Sequence, residues 1–213
     1  MSAPLGDVAS RLVAAAGALG APLPADVRVV SVLDEPAPAL ADIDAATRVL
    51  VLDWLGTHRD ARVPLLRAAW DVEETVRAAS AHVLVLRLAP LLGPASPLVA
   101  WLGSRPKLAP RLARAVVQPV LESDVVASLG AAFAGRVTWQ GWYEACGPDP
   151  ISVGELATLV AARDAAARVA TTAPEPSEAI LIAQGLAEWR PWSDAFGVVP
   201  ASITRGATLG SAA

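Results

Sequence analysis

Apolar residues recur along this chain in two rhythms, and the switch between them lays out the elements. Over residues 7–19, Val8, Leu12, Ala15 and Leu19 return at helical spacing, and Gly17 and Gly20 weaken the end of that helix. Pro22 and Pro24 then interrupt the chain, and Val27-Arg-Val-Val-Ser-Val32 is a β-branched run of the kind that fills a buried strand. Asp34-Glu-Pro-Ala-Pro38 reads as a loop, and Arg48-Val-Leu-Val-Leu52 as a second strand. From Val63 to Ser80 the positions Leu65, Ala69, Val72 and Val76 share one helix face, with Asp71, Glu73, Glu74 and Arg77 mostly on the other. His82-Val-Leu-Val-Leu-Arg-Leu88 is the clearest strand, and it ends in the Pro/Gly-rich loop Ala89–Pro94.

The second half continues the alternation. Val116–Leu121 is a short strand candidate in which Pro119 marks an edge or an end. Ser123 or Asp124 is placed to cap a helix carrying Val125, Leu129, Ala132 and Phe133 on one face. Val137–Ala145 reads as a strand, Gly147-Pro-Asp-Pro150 as a turn, and Ser152-Val-Gly-Glu155 as a capping box opening a helix that buries Leu156, Leu159 and Val160. Thr171–Pro176 reads as a linker and Ser177–Glu188 as a helix, while the tail after Pro191 lacks clear periodicity. Near-continuous apolar strands alternating with amphipathic helices predict an α/β fold, a parallel sheet covered on both faces.

Composition bounds this picture. At 213 residues, 54% apolar and 18% charged, the chain suits one sizeable domain better than two. The mean hydropathy of +0.46 is high, yet the longest uncharged run, Leu88–Ser104, is broken by Pro90, Gly93, Pro94, Pro97 and Gly103. A spanning helix needs about 20 apolar residues in a row, so no membrane association is expected. The N-terminus has no basic leader, and one cysteine, Cys146, supports no disulfide framework, so a cytoplasmic location is expected. A net charge of −4 without a basic block argues against nucleic acid as the main partner. With two histidines and one cysteine, no metal site is expected. There is one lysine, Lys107, and one tyrosine, Tyr143, so chemistry that needs both has a single candidate for each.

Three stretches together resemble the atypical short-chain dehydrogenase/reductase group, the NAD-dependent epimerase/dehydratase and NmrA-like relatives. Glu74–Gly93, with Leu86-Arg-Leu-Ala-Pro90, is similar to the group's helix, strand and "LRP…G" loop beside the nicotinamide. Gln118-Pro-Val-Leu-Glu-Ser-Asp-Val-Val126 is similar to its "PV-x-x-x-DVA" segment, and Tyr143–Leu156 to its "Y-x-x-x-GP…S-x-x-E-L" strand, turn and helix. The resemblance implies a Rossmann-like three-layer fold with a trimmed, mostly parallel sheet and helices on both faces. The expected division is residues 1–170 as a truncated Rossmann-like domain, with residues 171–213 as a C-terminal helix and tail packed on it.

The departures bear on function. A Rossmann fingerprint puts a glycine-rich turn between a first strand and a helix, so that backbone N–H groups reach the pyrophosphate. Here no strand is expected before the first helix, Ser2-Ala-Pro-Leu-Gly-Asp7 offers one glycine, Gly6, and Gly17-Ala-Leu-Gly20 lies at that helix's end, where a C-cap is the better reading. The group's enzymes use a Tyr-x-x-x-Lys pair one turn apart, the Lys lowering the phenol's pKa while hydride moves. Leu66 and Trp70 occupy those positions, and Lys107 and Tyr143 are far apart and in reverse order. The group's catalytic Ser/Thr position falls near Asp53 or Trp54 if Val49–Leu52 matches its fifth strand.

These observations predict a non-catalytic binding or interaction protein, a dehydrogenase/reductase pseudoenzyme with no catalytic residues and no cofactor. The alternatives are an NAD- or NADP-binding oxidoreductase or epimerase using other residues, and a regulator that senses the dinucleotide. If binding survives, the expected contacts are Asp34, for its place after a strand where ribose hydroxyls are held, and the loop residues Leu88, Ala89, Pro90 and Gly93. Asp53, His58 and Asp60 form the densest titratable cluster, read as a surface loop. Seven tryptophans against two phenylalanines is unusual; Trp189 and Trp192 are candidates for a homodimer or protein-partner surface.

Overall fold

A computed structural model of the chain describes residues 7–33, 40, 43–93, 96–104, 106–164 and 177–203. Helix α1 (Asp7–Ala18) precedes strand β1 (Val27–Ser31); β2 (Arg48–Trp54), α2 (Pro64–Ala79) and β3 (His82–Leu88) follow. The chain then builds β4 (Leu91–Leu92), α3 (Pro97–Gly103), α4 (Pro110–Ala113), β5 (Val116–Val117), β6 (Val120–Leu121) and α5 (Glu122–Phe133). It closes with β7 (Gly141–Ala145), β8 (Ile151–Ser152), α6 (Val153–Asp164), α7 (Glu178–Ala183) and α8 (Trp189–Phe196).

Four of the strands form an all-parallel sheet in the order β1-β2-β3-β7, with helices on both faces: a Rossmann-like α/β fold. The strand sequences explain the layering. In β2 and β3 the run Val-Leu-Val-Leu alternates, and side chains alternate faces in a strand. Val49, Val51, Val83 and Val85 therefore face α2, where they pack with Val30 and Val76. Leu50, Leu52, Leu84 and Leu86 face the other way and form the main core with Leu12 of α1, Leu129 of α5 and Trp192 of α8.

A second cluster lies beyond the carboxyl ends of the strands. Two-stranded pairings β4-β6, parallel, and β5-β8, antiparallel, hold it together, and Leu92, Leu102, Leu112, Val117, Leu156 and Leu181 fill it. The capping box at α6 forms as the sequence predicts: Glu155 N–H donates to Ser152 Oγ (3.2 Å) while Ser152 N–H donates to the Glu155 carboxylate (3.0 Å).

Several boundaries differ from the sequence reading. The strand read over Val116–Leu121 divides into β5 and β6 around Gln118 and Pro119. Helix α5 starts at Glu122 with no side-chain cap; the Asp124 carboxylate instead accepts from the Ala201 N–H (3.0 Å). Strand β7 covers only the last part of Val137–Ala145. Helix α7 is capped by Ser177 but stops at Ala183, because Gly185 adopts φ 66°, and the aperiodic tail contains α8, ended by Gly197 at φ 63°. The loop at Asp34–Pro38 and the linker at Thr171–Pro176 lie outside the described residues.

Trp192 is fully buried, and its indole N–H has no partner. It acts through area alone. Trp192→Ala is expected to lower unfolding stability by about 3–5 kcal/mol, and Trp192→Phe by less, as measured by urea titration.

Candidate functional site

The alternation that puts valine under α2 delivers a charge at the next position of each strand. Asp53, Arg87 and Glu144 stand opposite one another in register across β2, β3 and β7, at the carboxyl ends of the strands. Helix α2 adds a fourth group, because its buried face is Leu66, Ala69, Glu73 and Val76. Glu73 thus lies in the core rather than on the solvated face to which its spacing assigned it.

The Glu73 carboxylate accepts two hydrogen bonds from Arg87, from Nε (2.9 Å) and Nη2 (2.7 Å), and a third from Arg77 Nη2 (3.3 Å). Such a fork is the strong form of the pair. Two indoles flank the Arg87 guanidinium, with Trp142 at 4.8 Å and Trp70 at 5.5 Å from its carbon to the ring centres. Burial works against the Arg87 charge, yet Glu73 and Asp53 beside it hold the guanidinium above its ordinary pKa.

Asp53 is completely buried. Its Oδ1 accepts from the Trp54 N–H (2.6 Å) and from the Thr57 hydroxyl (3.0 Å), while Oδ2 has no partner. Burial, and then the neighbouring Glu73 carboxylate, push its pKa up to about 8. With Asp53 protonated at neutral pH, the buried Glu73 carboxylate faces two guanidinium groups, those of Arg87 and Arg77, and Glu144 stands beside Arg87. Glu144 is also raised, by burial, with Arg87 opposing.

The titratable cluster read from sequence is therefore split. Asp53 faces inward, whereas His58 and Asp60 are exposed and interact with each other, His58 Nδ1 accepting from the Asp60 N–H (3.1 Å). A sequence signal for the missed group does exist. Val-Leu-Val-Leu-Asp53 and Val-Leu-Val-Leu-Arg87, set side by side as parallel strands, place the two charges opposite each other.

The other candidate residues fare differently. Asp34 lies outside the described residues. Leu88, Ala89, Pro90 and Gly93 are buried, and their backbone is already engaged: the Leu88 carbonyl accepts from Leu55 N–H (2.8 Å), Ala89 N–H donates to the Ala145 carbonyl (3.0 Å), and the Pro90 carbonyl accepts from Val120 N–H (3.0 Å). The Glu122 carboxylate occupies the space a side chain at Gly93 would need. Leu66 is fully buried, Trp70 lies over Arg87 and Arg77, Tyr143 on β7 packs edge-on against Phe196 (5.3 Å), and Lys107 is exposed between α3 and α4. No Tyr–Lys pair forms. Of the proposed partner surface, Trp192 belongs to the core and Trp189 is half-buried under Arg190.

In open α/β sheets ligands bind outside the carboxyl ends of the strands, where the strand order reverses. The four strands here run in one direction without a reversal. Residues 183–187 cross the strand ends from β2 to β7. Gly56, after β2, has φ 91°, and a side-chain carbon there would come within 2.7 Å of the Ala183 carbonyl. After β7, the Cys146 thiol donates to the Ala187 carbonyl (3.7 Å), and the Ala187 N–H donates to Gln118 Oε1 (3.0 Å).

The fold is that of NAD-dependent epimerases and dehydratases. One solved structure that shares it is the NAD-dependent NDP-hexosamine 5,6-dehydratase TunA of tunicamycin biosynthesis, at 18% identity and a TM-score of 0.55 over 76% of this chain and 61% of that one. Another is the Bordetella bronchiseptica enzyme WbmG in complex with NAD and UDP, at 18% identity and a TM-score of 0.50 over 93% and 74%. The chain spans between 58% and 62% of the length of several chains it matches. No family model matches the sequence, and no curated protein matches it.

This likeness corrects the expectation of no cofactor, because the fold is shared with an enzyme in complex with NAD. Among the described residues, the carboxyl ends of the strands are closed to a dinucleotide as they stand: the Leu88–Gly93 backbone is engaged and residues 183–187 lie over the ends of β2 and β7. Among the described residues, no three His, Cys, Asp or Glu side chains are grouped to hold a metal, and no helix is long and apolar enough to cross a membrane.

Two outcomes follow from the charged row. Arg87→Leu leaves the buried Glu73 carboxylate with only the longer bond from Arg77 and is expected to cost about 3–5 kcal/mol, whereas Arg87→Met combined with Glu73→Leu recovers most of that loss in urea unfolding. Asp53 binds its proton more tightly folded than unfolded, so the stability it contributes is complete in acid and is lost as pH rises toward and through about 8. The difference in thermal midpoint between the wild type and Asp53→Asn should therefore shift against the wild type from about pH 5 to pH 8 and level off above that.

Proposed function

We propose that this chain is a nucleotide-binding protein of the Rossmann-like fold that recognises a dinucleotide such as NAD or NADP without performing hydride transfer on it. One observation carries the reading. The helix face that would present a tyrosine and a lysine instead holds the buried Leu66 and Ala69, and beside them Trp70 lies against two guanidinium groups. A phenol activated by an ammonium is the proton carrier of that chemistry, and the only tyrosine and lysine of the chain sit in separate parts of the fold. The likeness to an enzyme in complex with NAD supports the ligand class, and the altered helix face supports binding without turnover.

The natural probes are NADH and NADPH, titrated against the tryptophan fluorescence. Saturable quenching is expected, with no change in dinucleotide absorbance when nucleotide-sugars are added. Oxidation or reduction of the dinucleotide on a nucleotide-sugar would overturn the non-catalytic reading, and loss of that turnover in Asp53→Asn would assign the proton transfer to Asp53. Absence of binding at millimolar dinucleotide would overturn the reading as a whole.

A further inference from the structure

The segment that crosses the strand ends differs from the helix its sequence suggests. Helix α7 stops at Ala183, Gly185 turns the chain with φ 66°, Leu186 stands 60% exposed, and α8 resumes only at Trp189. Between the two helices the chain lies over Gly56 at one end and Cys146 at the other. It spans the carboxyl end of the sheet from β2 to β7.

Gln184 is buried and Ala187 packs against the main core, while one side chain supplies the conventional hydrogen bond that ties the segment to the sheet side. Gln118, buried between β5 and β6, donates through Nε2 to the Gly147 carbonyl (2.7 Å) and accepts through Oε1 from the Ala187 N–H (3.0 Å). The other hydrogen bond at Ala187 is the weak contact from the Cys146 thiol. The seam is also imperfectly satisfied. Gln184 Oε1, on the segment, and Trp54 Nε1, two residues before Gly56, are buried without partners.

We propose that residues 184–188 form a strap, latched by Gln118, that closes the crevice at the carboxyl ends of β2, β3 and β7 and lifts to admit a nucleotide. The proposal rests on the nucleotide-binding reading for its ligand and on the latch geometry for its mechanism. The closed strap acts as a competing occupant. A ligand that binds only the open form has its apparent affinity reduced by the open fraction, and loosening the latch restores that affinity.

Cys146 supplies the reporter, because it is the only cysteine of the chain, is fully buried, and lies under the Ala187 carbonyl. With Ellman's reagent the native wild type should label slowly, and Gln118→Ala should label at least roughly tenfold faster while keeping its circular dichroism. The same variant should bind NADH at least roughly tenfold more tightly, matching the gain in open fraction. Faster labelling without a change in affinity would overturn the strap as a gate and leave nucleotide binding intact. Faster labelling with no NADH binding in either protein would overturn the nucleotide reading and, with it, the ligand assigned to the strap. Equal labelling of the two proteins would overturn the latch. Should Gln118→Ala fail to fold, hydrogen exchange of the wild-type Ala187 amide decides. Exchange insensitive to low urea supports local lifting, whereas exchange that follows global unfolding overturns it.

Discussion

Charge neutrality beneath helix α2 is the constraint on which the sheet's architecture depends. Beneath α2 the sheet offers no water to an ionised group, yet the chain places Asp53, Glu73 and Arg87 there, with the half-buried Glu144 beside them. The arrangement holds because Arg87 satisfies Glu73 through both arms of its fork, because two indoles flank the guanidinium, and because Asp53 gives up its charge. Each group sets the state of the next. The pair also fixes α2 in rotation and height over β3, since a one-residue slip of the helix would remove Glu73 from the fork. The valine face on which α2 rests is non-directional and could not supply that register alone.

The elements of the sheet were legible in the sequence because its strands are apolar runs bounded by turn residues, and β1, β2, α2 and β3 lie close to where the pattern puts them. The charged row was less legible for a specific reason. Periodicity assigns a glutamate to the wet face, and only a partner on the next strand, Arg87, reverses that assignment for Glu73. The same limit applies near the C-terminus. Ser177–Glu188 has helical composition, but tertiary contacts at Ala183 and Ala187, together with the turn at Gly185, decide where the helix stops. Gln118 carried no local signal, because its role lies in bridging the Gly147 carbonyl and the Ala187 amide, which belong to different parts of the chain.

The tryptophans separate into two uses. Trp54 and Trp192 leave their indole N–H groups buried and unpaired, so these rings serve as bulk, while Trp139 does the same with the Arg48 guanidinium 5.1 Å from its ring centre. Trp70 and Trp142 instead present their faces to cations, and Trp142 does so while 51% exposed on an edge strand. A large aromatic count in this chain therefore reflects both filling and charge screening, and composition alone does not divide the two.

Three glycines stand at close approaches near the carboxyl ends of the strands. A side chain at Gly56 would meet the Ala183 carbonyl, one at Gly93 the Glu122 carboxylate, and one at Gly147 the Pro119 carbonyl. The spacing there is thus set by main chain against main chain at two of the three points. Interlocking side chains can be exchanged in pairs, a larger one offsetting a smaller, but a carbonyl oxygen has no smaller substitute. Mutational drift can repack either hydrophobic cluster gradually, whereas Gly56 and Gly147 admit no compensated exchange.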